Sequence, residues 1–449
     1  MADKFIPFIL IITSSLFAQS GPILVNYTMS HDATTYTNSH KIVAHGSYES
    51  IIYITYHSSD SVFYTYSSNG GGSWSTPVFV GLGKNPAIDI DKNNNHHIAW
   101  TRFVSNNYEI FYDCIEDINP PVNITNTPGN STLPDLIVDT SLTVHFTWTE
   151  NVGASNQIFY RTYKSGILGD TLRISDIGDN NQSSISIFDP YKLYIIWGCK
   201  VTSPSTRYYI FYRFKEIGWS LKDSLRYSSC VCRCPSFDFS HGEDVFGTCW
   251  EDSMATGNLE PVFYGGNGGT FGTSGRSRFP VMSTVANVWS YLFVQEDSID
   301  ILYRLYYFMS GWGSVRSLRT DYNISEPVRF PNCIGDKLVW TQGNNAPYKI
   351  YFMKFGYPIS VHEGNKKRNE ENLLEIFPNP TSKFCVIHST QNIENIKIYN
   401  VTGVLVKGIE QIKSNEKNIK IDLLDISLGI YFLQFNFENN KIVRKVIIQ

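Results

Sequence analysis

A short apolar run ending in an aromatic residue, a polar loop, and then Ile-Phe-Tyr or a close variant recur along this chain about every 45–50 residues. The strong copies are Ile98-Ala99-Trp100 with Ile110-Phe111-Tyr112, and Phe146-Thr147-Trp148 with Ile158-Phe159-Tyr160. They continue as Ile195-Ile196-Trp197 with Ile210-Phe211-Tyr212, Thr248-Cys249-Trp250 with Val262-Phe263-Tyr264, and Leu338-Val339-Trp340 with Ile350-Tyr351-Phe352. Weaker copies fill the gaps at Ile54-Thr55-Tyr56 with Val62-Phe63-Tyr64, and at Tyr291-Leu292-Phe293 with Ile301-Leu302-Tyr303. A fixed period of this size means one supersecondary unit repeated, each copy burying its apolar face only against its neighbours.

A proline followed by a short apolar stretch precedes many pairs, as at Pro86-Ala87-Ile88, Pro134-Asp135-Leu136, Pro235-Ser236-Phe237 and Pro280-Val281-Met282. A further strand-like piece follows, such as Val122-Asn123-Ile124. Each unit therefore holds about four short strands rich in Tyr, Phe, Ile, Val and Thr, separated by turn residues. Four-stranded sheets repeated in this way are the blades of a β-propeller. The chain is expected to be all-β, with seven blades or alternatively six, over residues 19–360. The last unit lacks an evident fourth strand. Ile23-Leu24-Val25-Asn26, which has no blade of its own, is expected to complete it and hide an open edge; Pro358-Ile359-Ser360-Val361 is the alternative.

Residues 1–18 have the pattern of a secretory signal, with Lys4 before an apolar run and Ala18 at a cleavage position. No later segment is long and apolar enough to span a bilayer as a helix. The formal charge of −4 over 449 residues gives no electrostatic reason to expect nucleic acid as a partner. Of the eight cysteines, Cys230-Val231-Cys232-Arg233-Cys234 has an unusual spacing. A disulfide to Cys249 or Cys199, buried free thiols and a metal site are the readings, and the one-residue spacing suits metal least. No cofactor and no metal site is expected.

After a polar linker at 361–372, residues 373–449 form a second module of alternating apolar residues and short turns, expected as a small antiparallel β-sandwich. It carries Pro378-Asn379-Pro380, a Tyr-Asn-x-x-Gly turn ending at Gly403, a Gly429-Ile430-Tyr431-Phe432 strand and a basic-apolar terminus. In that order these features resemble the C-terminal sorting domain of the type IX secretion system. The resemblance implies export through the periplasm, recognition by the type IX machinery, and a secreted or surface-attached product.

Ser67-Ser68-Asn69-Gly70-Gly71-Gly72-Ser73-Trp74 resembles the Asp-box (BNR repeat) of sialidase-like propellers, with Asn69 in place of the Asp and Ser73 in place of the Thr. Asn makes similar turn hydrogen bonds and tolerates the same backbone. In that family the box is structural: Ser67, Asn69, Gly71, Ser73 and Trp74 would fold the hairpin between third and fourth strands. The family also implies an arginine at the first inner strand, and Lys41-Ile42-Val43-Ala44 has none. Arg278-Phe279-Pro280 and Arg329-Phe330-Pro331 resemble that motif but come late in the chain. No catalytic residue is therefore assigned. Arg102, Glu150, Lys200, Glu251, Glu296 and Gln342 follow the second strands and are the candidates to ring the channel mouth on the ligand face; solvated loop positions are the alternative. The expected function is binding of a glycan or surface protein without catalysis, the alternative being a divergent sialidase-like glycoside hydrolase.

Overall fold

The computed structural model describes residues 21–355 and 374–448, save 47–48, 189–191, 229–230, 240–245, 254–258, 265–268, 271–275, 286–288, 298, 308–310, 378–383, 390–391, 401–403, 410–417, 428 and 438–440. The proposed signal segment, the linker, Pro378, Asn379, Pro380 and Gly403 lie outside the described residues, as does Cys230.

Among the described residues, the strands between Ile23 and Lys354 form seven antiparallel sheets. Each runs in sequence order from an inner strand outward, with four strands, or five where the outermost strand is broken in two. The exception is the last sheet, where Ile23–Thr28 lies outside Tyr348–Lys354 and pairs with it antiparallel. The first strand of the chain thus completes the final sheet, and a potential open edge is covered.

One residue recurs at one place in each sheet. The residues before Trp100, Trp148, Trp197, Trp250 and Trp340 pair with Ala87, Asp135, Ser184, Ser236 and Asn332 of the inner strands. All five tryptophans are buried. Tyr56 takes this place in the first sheet, where the neighbouring Thr55 N–H donates to Lys41 O. In the sixth sheet Val281 pairs with Phe293, so the anchor is Val294 and not the aromatic that the sequence pattern singles out.

Each anchor packs into the preceding sheet. Trp148 lies among Ala87, Ala99, Ile110 and Tyr112; Trp197 among Ile158, Tyr160 and Ile174; Trp340 among Val281, Phe293, Ile301 and Tyr303. Trp100 meets Val43 and Val62, Trp250 meets Tyr194 and Ile196, and Val294 meets Cys249. Tyr56 closes the circuit against Val339, Ile350 and Phe352 of the last sheet. Apolar burial between sheets, not within them, is what joins the units.

The hairpin at 67–74 reinforces this closure. Ser67 Oγ accepts from Gly71 N at 2.8 Å, and Asn69 Oδ1 accepts from Ser73 N at 2.9 Å. Asn69 therefore supplies the turn contacts that its spacing predicts. Gly71 has φ +93°, and a Cβ there would lie 2.1 Å from the Phe352 ring, so only glycine fits. Trp74 meets the same Phe352 edge-on at 5.2 Å.

The tail forms a sheet of Leu374–Phe377, Phe384–Ser389 and Asn418–Asp422, and another ordered Leu405–Ile409, Asn395–Asn400, Gly429–Asn436, Lys441–Ile448. Its core contains only tail residues, among them Ile387, Ile398, Leu433, Phe435 and Val446, with Tyr431 at its margin. Asn400 Oδ1 accepts from Val404 N at 2.9 Å and closes the turn after Tyr399. Gly429 opens its strand at φ +154°.

Cys114, Cys199, Cys232, Cys234, Cys249, Cys333 and Cys385 are thiols. Of the sequence alternatives, the disulfide to Cys249 or Cys199 is not formed among the described residues. Cys234 Sγ instead donates to Gln182 Oε1 at 2.9 Å. Among the described residues, no group of three His, Cys, Asp or Glu side chains converges on one point.

Candidate functional site at the channel mouth

Six inner strands share a bulge near their start. Asn85, Leu133, Gln182, Cys234, Phe279 and Phe330 all have φ between 50° and 55°, and each coincides with a register shift against the second strand. Non-glycine residues rarely adopt this backbone, so its recurrence calls for a compensating contact. The bulge turns an N–H toward the preceding sheet. Phe279 N donates to Glu251 Oε1 at 2.8 Å, Phe330 N to Gln295 Oε1 at 2.8 Å, and Gln182 N to Thr149 Oγ1 at 3.2 Å. Thr149, Glu251 and Gln295 each follow an anchor residue directly, so one repeated hydrogen bond staples sheet to sheet at the mouth.

This register sorts the six candidates. Side chains alternate faces along a strand. Arg102, Glu150, Glu296 and Gln342 lie two residues past their anchors, on the same face as the anchor and toward the preceding sheet. Glu150 is buried; its Oε2 accepts from Trp148 Nε1 at 2.8 Å and from Ser131 Oγ at 2.9 Å. Gln342 Oε1 accepts from Trp340 Nε1 at 3.2 Å, while its amide donates to Glu326 at 2.9 Å. The Arg102 guanidinium sits 4.8 Å above Phe111. Glu296 is half-buried beside the turn at Ile299, and Lys200 is exposed one residue further along than the others. Glu251 occupies the opposite face, fully buried between Arg233 Nε at 2.7 Å and Phe279 N. The six therefore do not converge on one ring. Glu150 and Gln342 hold indole N–H groups, and Glu251 joins two sheets.

The bulge brings a different set together. Arg233, Arg278 and Arg329 each precede the bulged residue in three consecutive inner strands. Arg233 pairs with Glu251, and Arg329 Nη1 donates to Gly343 O at 2.7 Å. Arg278 lies over Phe279 at 5.0 Å, and its buried Nε has no acceptor among the described residues. Phe279 packs on Phe330 at 5.1 Å, and His31 adjoins Phe330 and Tyr348 at 6.2 Å each. With Arg233, Arg278, Arg329, Phe279 and Tyr348 half-exposed and Phe330 buried behind them, these residues make a cationic and aromatic crescent across three consecutive sheets. The sequence contains its signal in the repeated Arg-x-Pro, legible once units are aligned on the proline.

Beside the crescent, the segment between Thr28 and Ile42 crosses the channel. Thr34 Oγ1 donates to Phe330 O at 2.8 Å on one side, and Asn38 Nδ2 to Ser183 O at 2.6 Å on the fourth sheet. Thr34, Thr35, Thr37, Asn38 and Ser39 are buried by this crossing. Near it, Lys41 is fully buried and bonded to Ser39, and His40 approaches Asp135 at 3.8 Å. Burial pushes the Lys41 amine down to about 7, against a smaller opposing pull from Asp135. Burial likewise raises Asp89 to about 6, although Val138 N donates to it at 2.7 Å.

The fold has relatives among solved structures. A lectin of Burkholderia pseudomallei matches with a TM-score of 0.50 at 10% identity, covering 72% of this chain and 97% of that one. A polysaccharide lyase matches with a TM-score of 0.49 at 8% identity, covering 75% and 99%. The β-propeller domain of the Trilobed protease from Pyrococcus furiosus matches with a TM-score of 0.43 at 10% identity, covering 76% and 99%. Identities this low speak to fold alone. No curated protein matches the sequence. Among the described residues, no helix is long and apolar enough to cross a membrane. Residues 375–449 match the secretion system C-terminal sorting domain, and this tail marks the chain as cargo of the type IX system, bound for the cell surface or beyond.

Proposed function

We propose that the exported propeller is a noncatalytic glycan-binding module whose mouth takes an acidic sugar. The observation that carries this reading is Arg278. Its guanidinium stacks on Phe279, its Nε lacks an acceptor among the described residues, and it stands between two arginines in equivalent positions. A planar cation with unspent donors suits a carboxylate or sulfate, and the adjoining rings suit the apolar face of a pyranose. Both Glu251 oxygens are already engaged, by Arg233 and by Phe279 N, which favours binding over acid–base chemistry. The mature chain on an array of neutral, uronate-bearing, sialylated and sulfated glycans tests the reading. Binding is expected for acidic glycans, weakened by salt and reduced at least about tenfold by Arg278→Gln at unchanged melting temperature. Preference for neutral glycans, or undiminished binding by Arg278→Gln, would overturn it. Release of sugar from a fluorogenic sialoside, abolished by Glu251→Gln, would favour the hydrolase instead.

A further inference from the structure

Two imidazoles from neighbouring sheets face each other at the far end of the inner strands from the arginines. His45 ends the strand Ile42–His45, and His96 begins His96–Val104 in the next sheet. Their Nε2 atoms are 3.3 Å apart. His96 Nδ1 lies 2.7 Å from Glu116 Oε1, and the other Glu116 oxygen accepts the His96 backbone N–H at 2.7 Å. The carboxylate holds the proton on Nδ1 and leaves the Nε2 lone pair directed at His45. Tyr53 stacks on His96 with centroids 3.5 Å apart and planes at 23°, and is itself stacked on Tyr66 at 5.3 Å. The His96 ring is thus fixed in plane and in tautomer, while His45 remains half-buried at the surface.

We propose that His45 and His96 form a site for a divalent transition metal of the zinc class, with Glu116 orienting His96. Zinc holds each imidazole nitrogen at roughly 2.0–2.1 Å in tetrahedral geometry, which places two such nitrogens about 3.3–3.4 Å apart. The observed separation equals that bite. Two neutral imidazoles select zinc, copper or nickel over magnesium and calcium, which prefer oxygen. With two protein ligands, the other positions fall to water, so the ion is exchangeable. A direct hydrogen bond from His45 to His96 is the competing account of the same spacing, and it predicts no metal dependence.

Calorimetric titration of the mature full-length chain with zinc chloride tests this. One saturable equivalent is expected, undisturbed by millimolar magnesium. Affinity should fall at least about tenfold in His45→Gln and about tenfold in Glu116→Gln, which keeps both ligands but loses the orienting carboxylate. Zinc should raise the melting temperature of the native chain and not that of His45→Gln. As a second measurement, copper(II) bound to the native chain should show electron-paramagnetic hyperfine splitting from two nitrogens. Absence of saturable binding, undiminished affinity in His45→Gln, or a copper signal without two nitrogens would each overturn the proposal.

Discussion

Replacing Trp148 by alanine should show what joins one sheet to the next. The side chain is completely buried against Ala87, Ala99, Ile110 and Tyr112 of the preceding sheet, and it stacks on Phe159 at 5.9 Å. A buried tryptophan removes about 150–250 Å² from water, which at ~25 cal/mol per Å² is about 4–6 kcal/mol as an upper bound. Large-to-alanine truncations cost about 3–5 kcal/mol, so about 4 kcal/mol is expected. Glu150→Ala should cost less, about 1–3 kcal/mol, because it strands the Trp148 indole N–H and the Ser131 hydroxyl. Glu150→Gln keeps an oxygen acceptor and should cost least. At about 2 °C per kcal/mol for a large domain, differential scanning calorimetry should record a fall of about 8 °C for Trp148→Ala and about 2–6 °C for Glu150→Ala. The two losses should not add, since the residues share one hydrogen bond. A Trp148→Ala protein melting within about 1 °C of the native chain would refute the burial argument. A Glu150→Ala protein with native stability but no glycan binding would return Glu150 to the ligand face.

Stability should rise with pH above neutrality because of Lys41. Its amine titrates near 7 when folded and near its ordinary 10.5 when unfolded, so between these values the unfolded chain holds the extra proton and folding is favoured by rising pH. Unfolding free energies from urea titrations at pH 7 to 9 should climb by up to about 1.4 kcal/mol per pH unit in the native chain and stay flatter in Lys41→Met; equal slopes would show that the amine is charged when folded. Deleting residues 373–449 should leave the propeller folded, since the tail core uses only tail residues, while the truncated chain accumulates in the periplasm; normal amounts in the medium by cell fractionation would mean that the tail is not the export signal. Substituting alanine at Gly71 should lower the melting temperature by several degrees, because the Phe352 ring occupies the space and φ +93° opposes a side chain; an unchanged melting curve would mean that the hairpin does not seal the ring.

Much of the architecture follows from the sequence because its causes are local. Aromatic spacing marked six of the seven anchors correctly, the spare strand at Ile23–Thr28 had only one edge left to cover, and Asn69 and Gly71 specify their turn within eight residues. The tail needed only its own motifs. What the sequence left undecided turns on single residues of register. Phe293 is the better aromatic, yet Val294 is the anchor, because Phe293 pairs with Val281 and so takes the place that Ala99 and Thr147 hold in their sheets, one residue before the anchor. The same one-residue logic separates Glu251, two sheets bridged by its carboxylate, from Glu150 and Gln342, which latch tryptophans. Because faces alternate residue by residue, counting past a tryptophan cannot tell these roles apart until the pairing partner is known. The arginine crescent, the plug at Asn38 and the facing His45 and His96 depend on contacts between residues dozens to hundreds of positions apart. Closure of the ring brings Thr34 to Phe330, the stacking of neighbouring sheets brings His45 to His96, and no local pattern encodes either contact.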